Sequence, residues 1–329
     1  MKPILVKQIL SSRSLTVPIK KSSHLAFVPT HQDPNEEQVE ALRQLLHEGL
    51  APNNVLVVTG AGISTESGLQ DYRSEGVGLY ARTDRRPMKH MTFVKSSAAR
   101  KAYWARNFVG WSNWSTTQPN PAHNALAQWE RKSHLYKPRL IHIVTQNVDQ
   151  LHFKAGSSKV IELHGTLSIV KCLNCSFEIL RHTFQRTLQD LNPHLAVKPR
   201  EELVRPDGDV ELSAEDVEKF CLAECPKCKS DVLKPDVTFF GDNVPKKRVQ
   251  AVRDLVSACD ILLVVGSSLD VFSGYRIVLQ AKEEQKKVAL VNIGPTRADK
   301  LADLKVSSRA GLVLNKIILP HKETILRHT

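Results

Sequence analysis

Cys172-Leu-Asn-Cys175 and Cys225-Pro-Lys-Cys228 are two C-x-x-C pairs separated by 49 residues, Ser176 to Glu224. At this spacing each pair offers two sulfurs from one tight turn, and two such turns complete a tetrahedral metal site. A shared zinc ion therefore forces two distant stretches of chain to one point, which no single helix or hairpin does. Four thiolates leave no open coordination position, so the metal holds structure and does not activate water. Redox pairing within each knuckle is the alternative that the spacing leaves open. Cys221 reads as a spare thiol and Cys259 as a core residue ending a helical stretch. The 49 residues between the knuckles are rich in charge and poor in periodicity, and a solvated loop is their default reading, with a lid or partner surface as alternatives.

The segment VLVVTGAGISTESGLQDYRS, residues 55–74, runs an apolar strand into a glycine turn. Val55 to Val58 suits a parallel strand buried on both faces. A glycine turn at its carboxyl end lets backbone approach a pyrophosphate, and a following helix offers free N–H groups to phosphate. The redox dinucleotide fingerprint is incomplete, because G-x-G-x-x-G needs a glycine where Thr65 stands. No acidic residue closes a second strand about 20 residues on; residues 76–90 read GVGLYARTDRRPMKH. A tight strand-to-helix connection without a ligand explains this stretch alone equally well.

Further apolar runs at Leu140 to Val144, Val160 to Leu163, Ile261 to Val265, Val288 to Val291 and Leu312 to Leu314 read as strands. Helical patterns lie between several of them, and Asn35 to Glu48 forms an amphipathic helix ahead of the first. Strands spaced by helices predict an α/β fold, a Rossmann-like doubly wound parallel sheet, with a smaller zinc-binding domain inserted. The expected division is a leader at 1–32, the first part of the sheet domain at 33–165 and the zinc domain at 166–235, with its insertion at 176–224. The second part of the sheet domain follows at 236–318, with a tail at 319–329. No run of about 18 apolar residues is present to cross a membrane.

A net charge of +12 invites a nucleic-acid reading. However, residues 1–32 hold Lys2, Lys7, Arg13, Lys20 and Lys21, five serines and no acid. That composition matches a mitochondrial transit peptide, and removing its five charges leaves +7. A basic zinc protein on nucleic acid would interleave aromatic and basic residues around its cysteines; KCLNCSF and ECPKCKS do little of this.

TQNVDQLH at 145–152 puts Gln146, Asn147 and Asp149 at the carboxyl end of a strand, where open α/β sheets bind ligands. VIELHG at 160–165 brings His164 to the end of the next. Amides, a carboxylate and an imidazole beside a phosphate cradle make an active-site constellation, although a structural role explains His164 taken alone.

In order, GAGIS, ESGLQDYR, TQNVDQLH, ELHG, the two knuckles, KPDVTFFGD, VVGSSLDVFS and VNIGPT resemble the sirtuins, the NAD-dependent protein deacylases. The resemblance spans residues 33 to 315, and GLYARTDRRP with YWARNFVGW is most similar to the mitochondrial class II, sirtuin-4-type branch. It implies that Gly60, Ala61, Gly62, Ile63 and Ser64 hold the pyrophosphate of NAD and that Asp71, Tyr72 and Arg73 lie in a mobile loop over the nicotinamide ribose. Gln146, Asn147 and Asp149 would bind the nicotinamide end; Gly266, Ser267, Ser268, Asn292 and Ile293 would hold the adenosine half. His164 would be the general base, assisted by Asn147, and Cys172, Cys175, Cys225 and Cys228 would hold one structural zinc. NAD would be consumed as co-substrate, leaving nicotinamide and O-acyl-ADP-ribose.

The same resemblance makes Val237 to Phe240 the strand that pairs with substrate peptide, opposite Gly266 to Ser273. Thr238 stands where many members carry valine, and Tyr72 where phenylalanine is commoner. YKPRLIH, longer than usual, shifts the boundary of the strand that follows. Tyr103 and Arg106 fall at i and i+3 on one helical face. A Tyr-x-x-Arg pair of this kind binds an acidic acyl group in sirtuin-5-type members, so carboxyl-bearing, branched or lipoyl-type acyl-lysines are the expected substrates, with Val237, Thr238 and Phe239 beside them. The implied partners are acyl-lysine proteins, mitochondrial metabolic enzymes among them, with a monomer in the matrix and neither nucleic acid nor membrane. Mono-ADP-ribosyl transfer is the alternative activity, because it uses the same electrophile.

Overall fold

The computed structural model describes residues 25–48, 53–84, 86–133, 138–195 and 208–318. Among them nine strands run in chain order: β1 Asn54–Thr59, β2 Arg139–Thr145, β3 Val160–Glu162, β4 Gly165–Cys172, β5 Glu178–Leu180, β6 Leu233–Val237, β7 Ile261–Val265, β8 Lys287–Val291 and β9 Leu304–Val306. Six of them form one parallel sheet in the order β3-β2-β1-β7-β8-β9, and β5-β4-β6 form a small antiparallel sheet.

Period-two alternation explains how the parallel sheet is covered on both faces. Val55 and Val57 join Leu263 and Val265 under the helices Glu36–His47, Pro121–Lys132 and Ala310–Ile318. Leu56 and Val58 join Leu262 and Val264 under Lys246–Ala258 and Phe272–Glu283. The chain crosses from one side of β1 to the other between β2 and β7, so the switch point of the sheet lies at β1, β2 and β7, the place where such sheets bind ligands. Across the β1–β2 pair Val55 faces Leu140 and Leu56 faces His142, which leaves Ile141 as a bulge. The bulge falls within YKPRLIH; residues 134–137 lie outside the described chain.

Several expectations need correction. Leu312 to Leu314 is helix, because Ala310, Val313 and Leu314 bury one face at i, i+3 and i+4; the last strand is instead the three-residue edge β9. The segment after the glycine turn is a 3-10 helix, Ala61–Ser67. The strand expected at Val237 to Phe240 is β6, which ends at Val237; beyond it Thr238 donates its N–H to the His164 carbonyl at 2.7 Å.

The insertion between the knuckles is not simply a solvated loop. Its helix Arg181–Leu191 buries Phe184 and Leu188, and the returning chain buries Val210, Phe220 and Ala223 in the same cluster. All of these pack on the helix Ser97–Thr116, and Gly110 of that helix lies so close to the Gly208 carbonyl that a Cβ would meet it at 2.3 Å. Residues 196–207 lie outside the described chain.

At the amino end, the expected leader 1–32 runs past the start of packed chain. Phe27 is buried, and the Ser308 hydroxyl donates to the Gln32 carbonyl at 2.9 Å. Residues 1–24 and 319–329, the rest of the expected leader and the tail, lie outside the described residues. Among the described residues no helix is long and apolar enough to cross a membrane.

Candidate active site and metal centre

A cavity of about 1360 Å³ opens between the carboxyl ends of β1, β2, β7 and β8 and the small sheet. From β1 it is lined by Gly60, Ala61, Gly62 and Ser64, and by Asp71, Tyr72 and Arg73 of the next loop. From β2 come Gln146, Asn147 and Asp149; from β7 and β8 come Gly266, Ser267, Ser268, Asn292 and Ile293. His164, Tyr103, Val237, Thr238 and Phe239 complete the expected set that lines it. Two expected residues are not on the lining. Ile63 is buried in the core beneath it, and Arg106, one helical turn from Tyr103, is off the lining with its Nε buried. The i, i+3 spacing put both on one helix, but only Tyr103 sits against Phe93 and Phe239, at ring distances of 5.4 and 5.3 Å.

The glycines have a more specific reason than access for a phosphate. A Cβ at Gly62 would meet the Gly266 carbonyl at 2.8 Å, and Gly266 takes φ +60 with Ile63 N at 2.3 Å from its own added Cβ. Two loops from adjacent strands thus pack backbone to backbone, which only glycine permits. The Asn120 side chain caps the helix Pro121–Lys132 and donates to the Ile63 carbonyl at 2.7 Å, fixing the glycine loop from below.

The polar groups form one network. Asn147 Nδ2 donates to the Gly60 carbonyl at 3.0 Å and to Ser64 Oγ at 3.1 Å. The Ser64 hydroxyl donates to Asp149 Oδ2 at 2.7 Å, and Leu151 N–H to Oδ1 at 3.0 Å. Burial raises the Asp149 carboxyl above its ordinary value, and these donors oppose the rise. Gln146 Nε2 donates to Ser267 Oγ at 2.8 Å, joining the β2 and β7 loops. Asp71 accepts from Ser74 N–H at 3.0 Å and from its hydroxyl, while Arg73 pairs with Asp270 across the cavity at 2.9 Å.

His164 Nδ1 lies 2.9 Å from the Gln146 carbonyl and Nε2 lies 2.7 Å from Ser273 Oγ. A carbonyl only accepts, so Nδ1 carries the hydrogen and Nε2 the lone pair. Burial lowers this imidazole to about 4, which makes it a neutral proton acceptor at physiological pH. Nothing in the sequence around residue 273 pointed to this contact. The lining also includes Val28, Pro29 and Thr30, from the stretch expected to be leader.

Two more histidines sit below the site. His152 Nε2 lies 3.0 Å from Thr59 Oγ1, and its ring packs edge-on against His123 at 4.9 Å. Burial lowers His152 to about 4 and His123 well below its ordinary value. Unfolding frees these imidazoles to bind protons near 6.5, so the stability that they contribute is full above that pH and is lost as pH falls toward 4. Each group contributes a slope of about 1.4 kcal/mol per pH unit in that window. With His164 these make three lowered imidazoles, and Glu162, raised to about 7 by burial, works in the opposite sense and offsets one of the three. The urea midpoint is therefore expected to fall steadily from pH 7 to pH 5; a flat midpoint would contradict burial of the neutral pair.

The metal centre is independent of this cavity. Cys172, Cys175, Cys225 and Cys228 bring their sulfurs within 4.8 Å of one another, with Cys172–Cys228 and Cys175–Cys225 both at 3.6 Å. Zinc–sulfur bonds of about 2.3 Å in a tetrahedron set sulfurs about 3.8 Å apart, so the cage fits zinc. Each knuckle is shaped by backbone: Cys172 N–H donates to the Phe177 carbonyl and Cys225 N–H to the Ser230 carbonyl. Cys221 is exposed and Cys259 buried, and neither belongs to the cage.

A family model described as the Sir2 family matches residues 60–273. The chain is 52% identical over 312 residues to the NAD-dependent protein deacylase Sirt4 of Drosophila melanogaster, covering 95% of this chain and 96% of that one. It is 50% identical over 297 residues to the NAD-dependent protein lipoamidase sirtuin-4, mitochondrial, of Homo sapiens, covering 90% and 91%. A solved Sir2 complex with a p53 peptide and NAD+ superposes with a TM-score of 0.65 at 25% identity, covering 88% of this chain and 99% of that one.

Proposed function

Because this chain belongs to the Sir2 family and is an NAD-dependent protein deacylase, we propose that its cavity holds NAD along the β1, β7 and β8 loops and an acyl-lysine against Tyr103 and Val237 to Phe239. The observation that carries this reading is His164, a neutral base with its lone pair at Nε2, in the same cavity as the Ser64–Asn147–Asp149 network. Bound NAD supplies an electrophilic ribose carbon, a nicotinamide leaving group and the hydroxyl whose proton must be removed. Asn147 and Asp149, tied to Ser64, orient the ribose; Gly60 to Ser64 offer backbone to the pyrophosphate; Gly266 to Ser268, Asn292 and Ile293 receive the adenosine half. His164 takes the hydroxyl proton at Nε2. Asn147 assists by orientation and does not compete for that proton. The four cysteines hold zinc as a structural ion.

The acyl wall supports extended, apolar acyl groups ahead of a clamped carboxylate. Tyr103, Leu167, Val237 and Phe239 line it, with Thr238 adding one hydroxyl, while Arg106 lies off the lining. A lipoyl-type acyl is the first choice, and the human relative's name as a lipoamidase supports it. Lysine peptides bearing acetyl, succinyl, a branched glutaryl-type group or lipoyl would rank the pocket. Arg106→Ala is expected to change carboxyl-bearing and neutral substrates by the same factor. A selective loss of roughly tenfold or more, the size of a charge-assisted hydrogen bond, would return the carboxylate to this helix. The basic, acid-free first 32 residues and the mitochondrial names of the human and bovine relatives support a mitochondrial protein. We assign it to the matrix, acting as a monomer on acyl-lysine proteins of metabolism.

A further inference from the structure

Three elements meet at one imidazole. His164 stands between β3 and β4, Gln146 follows the end of β2, and Ser273 is the second residue of the helix Phe272–Glu283. The helix start approaches Gln146 so closely that a Cβ on Gly274 would meet Gln146 Oε1 at 2.4 Å. That approach is what sets Ser273 Oγ 2.7 Å from His164 Nε2, while Gln146 holds Nδ1 from the other side at 2.9 Å. Since Nδ1 donates to a carbonyl, Nε2 can only accept, and the Ser273 hydroxyl must be its donor.

We propose that Ser273 is a positioning residue for the proton transfer: before substrate enters, its hydroxyl donates to His164 Nε2 from the cavity wall and pins the ring plane, so that the Nε2 lone pair is already aimed at the cavity when the substrate hydroxyl displaces it. The inference rests on the reading of His164 as the base. In the reaction the Ser273 hydroxyl, keeping its own hydrogen, yields its place at Nε2 to the substrate hydroxyl, whose proton passes to the freed lone pair; the Ser273–Nε2 hydrogen bond is the only other contact at either side chain that breaks. One hydrogen bond at each ring nitrogen leaves the imidazole a single orientation. With Nδ1 held alone, the ring can tilt about its remaining contact, and a fraction of molecules presents the lone pair off line.

The test is imidazole nitrogen resonance in full-length protein labelled with 15N-histidine, without NAD or peptide, assigned by its absence in His164→Gln. In the unmodified protein, Nδ1 should resonate as a protonated nitrogen and Nε2 as a hydrogen-bonded acceptor. Ser273→Ala should move the Nε2 signal toward a free acceptor nitrogen, with Nδ1 still protonated against the Gln146 carbonyl. It should also lower kcat about tenfold, well short of the loss on removing the base itself, with KM for NAD and for peptide little changed. Ser273→Thr, which keeps the hydroxyl, should restore both the spectrum and most of kcat, and it guards against a variant that merely packs badly. Unchanged nitrogen signals in Ser273→Ala, or changed signals with full kcat, would overturn the proposal. Activity retained by His164→Gln would instead overturn the reading on which it rests.

Discussion

His164→Gln is expected to lower kcat for NAD-dependent deacylation by about 10² to 10⁴-fold, the range that a positioned general base contributes. Glutamine has a similar reach and can still donate to the Gln146 carbonyl, so the cavity wall should keep its shape. It has no nitrogen that can take a proton. The loss should therefore fall on kcat, with KM for peptide nearly unchanged, and melting of the variant should track the unmodified protein. The acidic limb of the pH profile gives the same conclusion in another form. An imidazole lowered to about 4 by burial remains a base down to that pH. The rate should therefore hold through the usual histidine range near 6.5 and fall only below about pH 5.

Removing the metal should have the larger effect on folding. Structural zinc held by four thiolates carries roughly 10 to 16 kcal/mol of apparent binding free energy in small zinc modules. Here the ion would join the end of β4, at Cys172, to the turn that leads into β6, at Cys225 and Cys228. Between these two anchors the chain packs Phe184, Leu188, Val210 and Phe220 on the helix that carries Tyr103. Cys172→Ser, or chelation at raised temperature, should release one equivalent of zinc and unfold this small domain, with loss of activity by way of the Tyr103 wall. A folded, active, zinc-free variant would show that the sulfurs hold no structural ion. Zinc content by elemental analysis, beside near-ultraviolet circular dichroism, separates the two cases.

The parts of this fold that local chemistry dictates could be read in the sequence. β1, β7 and β8 are continuous β-branched or leucine-rich runs buried on both faces, β2 reads as a strand despite His142 and a half-buried middle, and the cysteine spacing named the cage. Elements whose burial depends on distant partners could not be read. Leu312 to Leu314 is too short a run to tell strand from helix, and its helical face is set by packing on Pro121–Lys132. The helix Arg181–Leu191 has only Phe184, Leu188 and Leu191 as apolar residues, and Leu191 stays exposed. Its buried face is completed by Arg181, which stacks on Trp111 at 4.4 Å and donates to Asn107, and by Gln185, which donates to the Phe108 carbonyl at 2.9 Å. Polar residues that bury themselves in this way leave no hydropathy signal. The site divides along the same line. Residues at strand ends were legible because the sheet aims them, whereas Ser273 meets His164 across 109 positions of sequence, and no spacing rule reaches that far. The i, i+3 spacing of Tyr103 and Arg106 likewise places both on one helix without saying which of them lines the cavity.

The most direct measurement is the ratio of nicotinamide released to lysine deacylated, with purified protein, labelled NAD and a lipoyl-lysine peptide. The account predicts one nicotinamide for each lysine freed, with the acyl group and the label recovered together as O-acyl-ADP-ribose. Label ending on protein, or no nicotinamide released from any acyl-lysine peptide, would contradict it.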